Sequence, residues 1–323
     1  MRWCRRIFLY LLILCIFQPI GAFTTDKLTV FVSILPQKYF VQQIGNDFVD
    51  VHVMVLPGAS PAIYEPKPKQ MATLSRADIY FTIGVPFEKV WLRKIIAVNP
   101  GMKLIHTDRG IHKIPMTSVH NNGKKEHHDE KRPRHEEGRN PGKAGDHNEG
   151  GNGQNEDHPN HGALDPHIWL SPPLVKKQAR TILETLIEVD PANAREYQSN
   201  YDVFISEIDR LDRELKNIFA DRQDLQFMVF HPSWGYFAHT YGLIQVPIEI
   251  EGKDPKPAQL KTLIEYARAQ RIKVVFVQPQ FSSRSAMQIA REIGGQVVTA
   301  DSLSLNWSEN LEVVAGKFKA ALQ

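Results

Sequence analysis

The sequence predicts an α/β protein of two lobes joined by one long helix. Three observations predict it. Apolar, β-rich runs alternate with helical patterns over residues 28–107, and the same alternation resumes over 227–321. A polar tract at 120–161 separates the two stretches, and an amphipathic pattern 18 residues long, 172–189, follows it. Alternation of strands with helices implies parallel pairing in layers, because parallel strands need a crossover between them.

The first lobe opens with a strand at 28–35 that ends at Pro36, whose fixed φ suits a helix start. A helix over 36–45 closes at Gly45, and the next strand, 51–56, is broken by Pro57-Gly58. A helix at 67–76, a strand at 77–83, an amphipathic helix at 87–98 and a short strand at 103–107 complete this half. After the tract come the long helix at 172–189 and a second at 191–219. Strands at 227–230, 245–250, 273–277 and 296–299 then alternate with helices at 233–241, 258–269, 283–293 and 309–321. The expected organisation is a signal at 1–22, an N-terminal lobe at 23–119, a His-rich loop at 120–161 and a loop at 162–171 that stays with the first lobe. The linking helix at 172–189 and a C-terminal lobe at 190–323 follow.

The N-terminus reads as a secretory signal. Arg2, Arg5 and Arg6 precede an unbroken apolar run of 11 residues, Ile7 to Phe17, and Gly21-Ala22 offers a cleavage site. That run falls short of the ~20 residues that span a bilayer. Both cysteines, Cys4 and Cys15, lie in the segment to be removed, so the mature chain has no disulfide and no thiolate ligand. Leu14 is bulkier than the residue that precedes a lipid-attachment cysteine, which argues against an anchor at Cys15. The formal charge of +3 resides in the three signal arginines. The mature chain is near neutral, and nothing in it argues for nucleic acid.

Between His120 and His161 the chain runs for 42 residues with one apolar side chain, Ala144, and seven histidines. Such a composition cannot bury enough apolar surface to offset the entropy of ordering, so the tract is expected to stay mobile. Neutral imidazole is a common metal ligand, which makes the tract a metal-collecting surface or a polar insert that merely contains histidines.

Ligands of open α/β sheets bind beyond the carboxyl ends of the strands. His231 follows the strand at 227–230, Asp301 follows the strand at 296–299, and His167 sits in the loop before the long helix. Two imidazoles and a carboxylate suit Zn2+ and are usable by Mn2+ or Fe2+. Each has a plainer reading. His231-Pro232 can serve helix entry, Asp301 can cap the turn at Ser302, and Asp165-Pro166-His167 can be a tight turn.

Several stretches together resemble the cluster A-I metal-binding proteins of ABC importers, the ZnuA/TroA-like family. They are Pro57-Gly58-Ala59-Ser60-Pro61, Tyr64-Glu65-Pro66, Asp165-Pro166-His167-Ile168-Trp169-Leu170-Ser171-Pro172 and His231-Pro232-Ser233-Trp234-Gly235-Tyr236-Phe237. Glu249-Ile250-Glu251-Gly252-Lys253-Asp254-Pro255 and Asp301-Ser302-Leu303 complete the set, in order across the mature chain. The resemblance implies two Rossmann-like lobes bridged by one rigid helix, with metal in the cleft between them. It implies ligand roles for His167, His231 and Asp301. It also implies a monomeric periplasmic binding protein that delivers Zn2+ to an ABC permease in the inner membrane. A manganese-type site of this family is expected to hold Glu where His231 stands, so histidine favours zinc over Mn2+ or Fe2+.

One position departs from the family. Ala62 stands where the resemblance leads one to expect histidine, which leaves three ligands for an ion that usually takes four. A tract histidine, His158 or His161, is one replacement. Water or a carboxylate such as Glu65 or Glu88 is another, and weakened capture is the third reading. Two other functions are weighed, and the first of them uses the same residues. A hydrolytic zinc site needs a general base in motif context, and the chain has neither His-Glu-x-x-His nor a nucleophile elbow, so an enzyme is not expected. A secreted zinc buffer would work through the tract itself.

Overall fold

The computed structural model describes residues 27–116, 163–250 and 252–322. It contains two four-stranded sheets, and every strand pair is parallel. The first lobe runs β1 (Leu28–Val32), α1 (Leu35–Gly45), β2 (Val49–Val53), α2 (Pro68–Leu74), β3 (Ile79–Thr82), α3 (Pro86–Val98) and β4 (Lys103–His106). Two long helices follow, α4 (Pro172–Val189) and α5 (Ala194–Phe219). The second lobe runs β5 (Gln226–Val229), α6 (Gly235–Tyr241), β6 (Ile244–Pro247), α7 (Pro257–Ala269), β7 (Val274–Val277), α8 (Arg284–Glu292), β8 (Gln296–Thr299) and α9 (Trp307–Ala321).

The strand order is β2-β1-β3-β4 in one sheet and β6-β5-β7-β8 in the other. The two lobes therefore share one topology, which the sequence showed only as a common rhythm. In each sheet the order reverses between the first and third strands, and loops leaving the carboxyl ends there diverge to open a crevice. The central strands are apolar on both faces, as β3 (Ile-Tyr-Phe-Thr) and β7 (Val-Val-Phe-Val) illustrate, because helices cover both sides of a parallel sheet. Prolines occupy the first turns of α1, α3, α4 and α7, where the missing N–H costs nothing.

Period-two alternation splits the second lobe's core. Phe227 and Val229 of β5 join a cluster that extends into the first lobe, while Met228 packs with Phe230, Val246 and Val275 on the other face. The larger cluster runs from Val30 and Phe81 in the first lobe through Leu183 and Leu211 to Phe276 and Phe318 in the second. A core that is continuous across the lobes resists hinge motion, since packed interiors do not deform gradually.

The sequence predicts the lobe connection at 172–189 alone. In the structure α5 reaches both lobes as well. Tyr39 Oη donates to Glu207 at 2.9 Å, Asn200 Nδ2 donates to the Ile44 carbonyl at 3.1 Å, and Arg210 Nη2 donates to Glu312 at 2.9 Å. Two buried indoles add cross-ties near the cleft. Trp169 Nε1 donates to the Ser302 carbonyl at 2.6 Å, and Trp307 Nε1 donates to the Trp169 carbonyl at 2.7 Å. The predicted strand at 28–35 stops at Val32, because the helix carrying Pro36 already begins at Leu35. No helix among the described residues is long and apolar enough to cross a membrane.

Candidate metal site

His231 lies two residues beyond the end of β5, and His167 is the residue just before a single 3-10 turn, Ile168–Leu170, that leads into α4. Gln278, at the carboxyl end of β7, clamps the first of these. The His231 N–H donates to Gln278 Oε1 at 3.2 Å, and Gln278 Nε2 donates to the His231 carbonyl at 2.6 Å. His167 is buried, 7% exposed, with Trp169 against its ring at a centroid separation of 5.0 Å. Phe281 stacks on His231 at 4.5 Å with an interplanar angle of 21°.

Each imidazole is paired with a carboxylate through Nδ1. His167 Nδ1 is 2.6 Å from Asp165 Oδ1, which also accepts the His167 backbone N–H at 2.8 Å. His231 Nδ1 is 2.7 Å from Glu249 Oε1. A carboxylate acceptor holds the ring proton on Nδ1, which leaves the Nε2 lone pair free on each ring. These two lone-pair atoms face each other at 3.4 Å across the lobes. Two tetrahedral ligands at the Zn–N distance of 2.0–2.1 Å are separated by about 3.3 Å. Two Nε2 lone pairs at that spacing repel unless a cation or proton lies between them. Burial pushes the His167 pKa below its ordinary value of 6.5, against the opposing pull of Asp165, so the ring stays neutral and able to ligate.

Gly235 at the start of α6 makes room for this arrangement. A Cβ there would lie 2.6 Å from Asp165 Oδ2. The hydroxyl of Tyr236 donates to the Asp165 carbonyl at 3.1 Å and accepts the Ile114 N–H at 3.1 Å, so α6 also anchors the loop that carries His167.

The histidines line a cavity of about 50 Å³ whose walls come from both lobes. Ala62, Val85 and Met116 form its first-lobe side, and Phe281, Ser302 and Leu303 its second-lobe side. Asp301 is placed next door. It borders an adjoining cavity with Pro57 and Gly58, and Leu303 lies on the wall of both. Its Oδ1 accepts from Gln280 Nε2 at 3.0 Å and from the Leu303 N–H at 2.9 Å, the turn-capping geometry that the sequence allowed. Among the described residues no three His, Cys, Asp or Glu side chains converge as a metal-ligand group, so the structure assembles the imidazole pair without Asp301.

The other candidates separate clearly. Glu88 is 4% exposed inside the first lobe, where it accepts from the Ser33 hydroxyl, from the Ile83 N–H at 3.0 Å and from the Gly84 N–H at 2.8 Å. Burial raises its pKa to about 7. Its oxygens are committed to the first-lobe loop and do not line the histidine cavity, because as the third residue of α3 it turns back to cap the preceding backbone. Glu65 is exposed and also stands off the cavity wall. His158 and His161 lie outside the described residues. The sequence reading missed the roles of Asp165 and Glu249. Both were present in the quoted motifs, and the Asp-x-His spacing was the one signal able to point to the first.

The model of the periplasmic zinc-uptake complex component A, ZnuA, matches residues 30–315. The chain belongs to the ZnuA family. The high-affinity zinc uptake system protein ZnuA of Bacillus subtilis (strain 168) is 28% identical over 282 residues, which cover 86% of this chain and 79% of that one. The zinc-binding protein AdcA of Streptococcus pyogenes serotype M3 is 26% identical over 270 residues, covering 83% of this chain and 49% of that one. A crystal structure of ZnuA matches this fold with a TM-score of 0.77 and 40% identity, over 92% of this chain and all, 100%, of that one. A ZnuA deletion mutant with zinc bound gives a TM-score of 0.76 at 40% identity, over 92% and 99% of the two chains. The family is one of periplasmic binding proteins for zinc uptake, and its members are not enzymes.

Proposed function

We propose that this chain captures Zn2+ between His167 and His231 and delivers it to an ABC permease in the inner membrane. The observation that carries the reading is the pair of Nε2 atoms 3.4 Å apart, each made a free lone pair by a carboxylate behind its ring. Asp301 supplies a third ligand through Oδ2, which makes no hydrogen bond among the described residues, by a modest movement of the loop that it shares with Leu303. Water or a tract histidine, His158 or His161, takes the place opposite Ala62. Imidazole at position 231 favours zinc over Mn2+ or Fe2+.

Residues 1–22 act as the export signal, and the mature chain works in the periplasm as a monomer. The lobes correspond to 23–119 and 190–323, and helix 172–189 links them. Their continuous core and the two indole ties argue for release by local loop movement, without a wide hinge.

Calorimetric zinc titration of the mature chain, with and without residues 121–160, tests this reading. One tight site in both proteins is expected, with water opposite Ala62. Tight binding lost with the tract assigns a tract histidine to that place. A chain with no tight site in either form overturns the cleft reading in favour of a weak buffer.

A further inference from the structure

The wall of the histidine cavity includes a residue type that a zinc site does not call for. Met116 lines the same cavity of about 50 Å³ as His167, His231 and Ala62. Its backbone is pinned, since the Met116 N–H donates to the Ala163 carbonyl at 2.8 Å beside the antiparallel bridge Pro115–Leu164. Met116 therefore belongs to an anchored stretch of the cavity wall. The position where an imidazole would harden the first-lobe side is the methyl group of Ala62.

Ligand softness then becomes the deciding chemistry. Zn2+ is held by imidazole, carboxylate and thiolate, whereas a neutral thioether with imidazole suits Cu(I). Cu(I) also accepts a low coordination number, and the carboxylate of Asp301 faces the adjoining cavity. We propose that Met116 makes this site a Cu(I) site as well, with His167 Nε2, His231 Nε2 and Met116 Sδ as the three donors, so that Cu(I) competes with zinc for the cleft. The inference rests on the reading of the histidine pair as a metal site. It adds Met116 as the residue that sets selectivity towards soft monovalent ions.

The test is anaerobic titration of the mature chain with Cu(I) against the chromogenic chelator bicinchoninate, in parallel with zinc calorimetry, on wild type and Met116→Leu. Leucine conserves volume and removes only the sulfur. The tract histidines are the same in both proteins, so their difference isolates Met116. Loss of the thioether is expected to weaken Cu(I) binding about tenfold or more and to leave zinc affinity within about threefold. X-ray absorption of the copper-loaded wild type is expected to show a sulfur scatterer that the variant lacks. Equal Cu(I) affinity in the two proteins, or a sulfur-free copper spectrum for wild type, overturns the inference. The zinc arm reports separately. Zinc that fails to bind wild type overturns the zinc reading, while a Met116-dependent Cu(I) site would still stand.

Discussion

Glu249 Oε1 accepts the ring proton of His231 Nδ1 at 2.7 Å, as Asp165 Oδ1 does for His167 at 2.6 Å on the other wall of the cleft. The two carboxylates orient the rings. Glu249→Gln and Asp165→Asn are each expected to weaken zinc binding by about 10–100-fold, the range for loss of such a partner. Calorimetry on the folded variants checks this. His231→Ala, which removes one of the two imidazoles proposed to hold the metal, is expected to cost more than either.

Gly235→Ala places a methyl group 2.6 Å from Asp165 Oδ2, closer than a Cβ can approach. Asp165 must move, and His167 moves with it. The variant is expected to lose about 1–3 kcal/mol of stability from overpacking, with zinc affinity falling at the same time. Denaturant unfolding and zinc titration on the same preparation read both effects, and a stability loss without an affinity loss would show that the Asp165–His167 pair tolerates the shift.

Burial holds the His167 pKa below 6.5 in the folded chain, while the unfolded chain keeps the ordinary value. On acidification the unfolded state takes up this proton first. The contribution of neutral His167 is therefore complete above pH 6.5 and is lost as pH falls from there through the folded value. The melting temperature of the metal-free protein is expected to drop more steeply between pH 7 and pH 5 in wild type than in His167→Gln. Zinc affinity is expected to persist to mildly acidic pH for the same reason, and to fail once the ring is protonated.

Glu88 works in the opposite direction. Its pKa rises from 4.5 to about 7 because burial disfavours the charged form. The folded state holds the extra proton, so the contribution of Glu88 to stability is complete below pH 4.5 and is lost as pH rises through 7. A shift of this size corresponds to roughly 3 kcal/mol. Glu88→Gln is expected to flatten that decline between pH 5 and pH 8 in urea unfolding, and a decline that is unchanged would place its origin elsewhere.

Trp307→Phe removes the indole N–H that reaches the Trp169 carbonyl at 2.7 Å in a buried setting. A buried acceptor left without its partner costs about 1–3 kcal/mol. Stability is expected to fall by that amount in thermal or denaturant unfolding, with a small effect on zinc binding because the Asp165–His167 pair is untouched.

Much of this protein follows from its residues in order. The alternation of apolar runs with amphipathic stretches determined two parallel α/β lobes, because periodicity of 2 and of 3.6 residues is a local property. Placement of His231 and Asp301 beyond strand ends came from the same local signal, and His167 from its motif. Tertiary structure alone decided what those residues do together. The two Nε2 atoms meet only because parallel sheets of one topology present their carboxyl ends to a shared cleft, and the partners are 64 residues apart in sequence. Glu249 reaches His231 from the end of a neighbouring strand, 18 residues on, and no periodicity encodes a contact of that kind. Asp301 looked equivalent to the histidines in sequence, yet its hydrogen bonds with Gln280 and Leu303 turn it towards the next cavity. Glu88 shows the same divide. Its place in the first turn of α3 was readable, but packing in the lobe interior, which no single stretch of chain specifies, gave its carboxylate a buried backbone to hold.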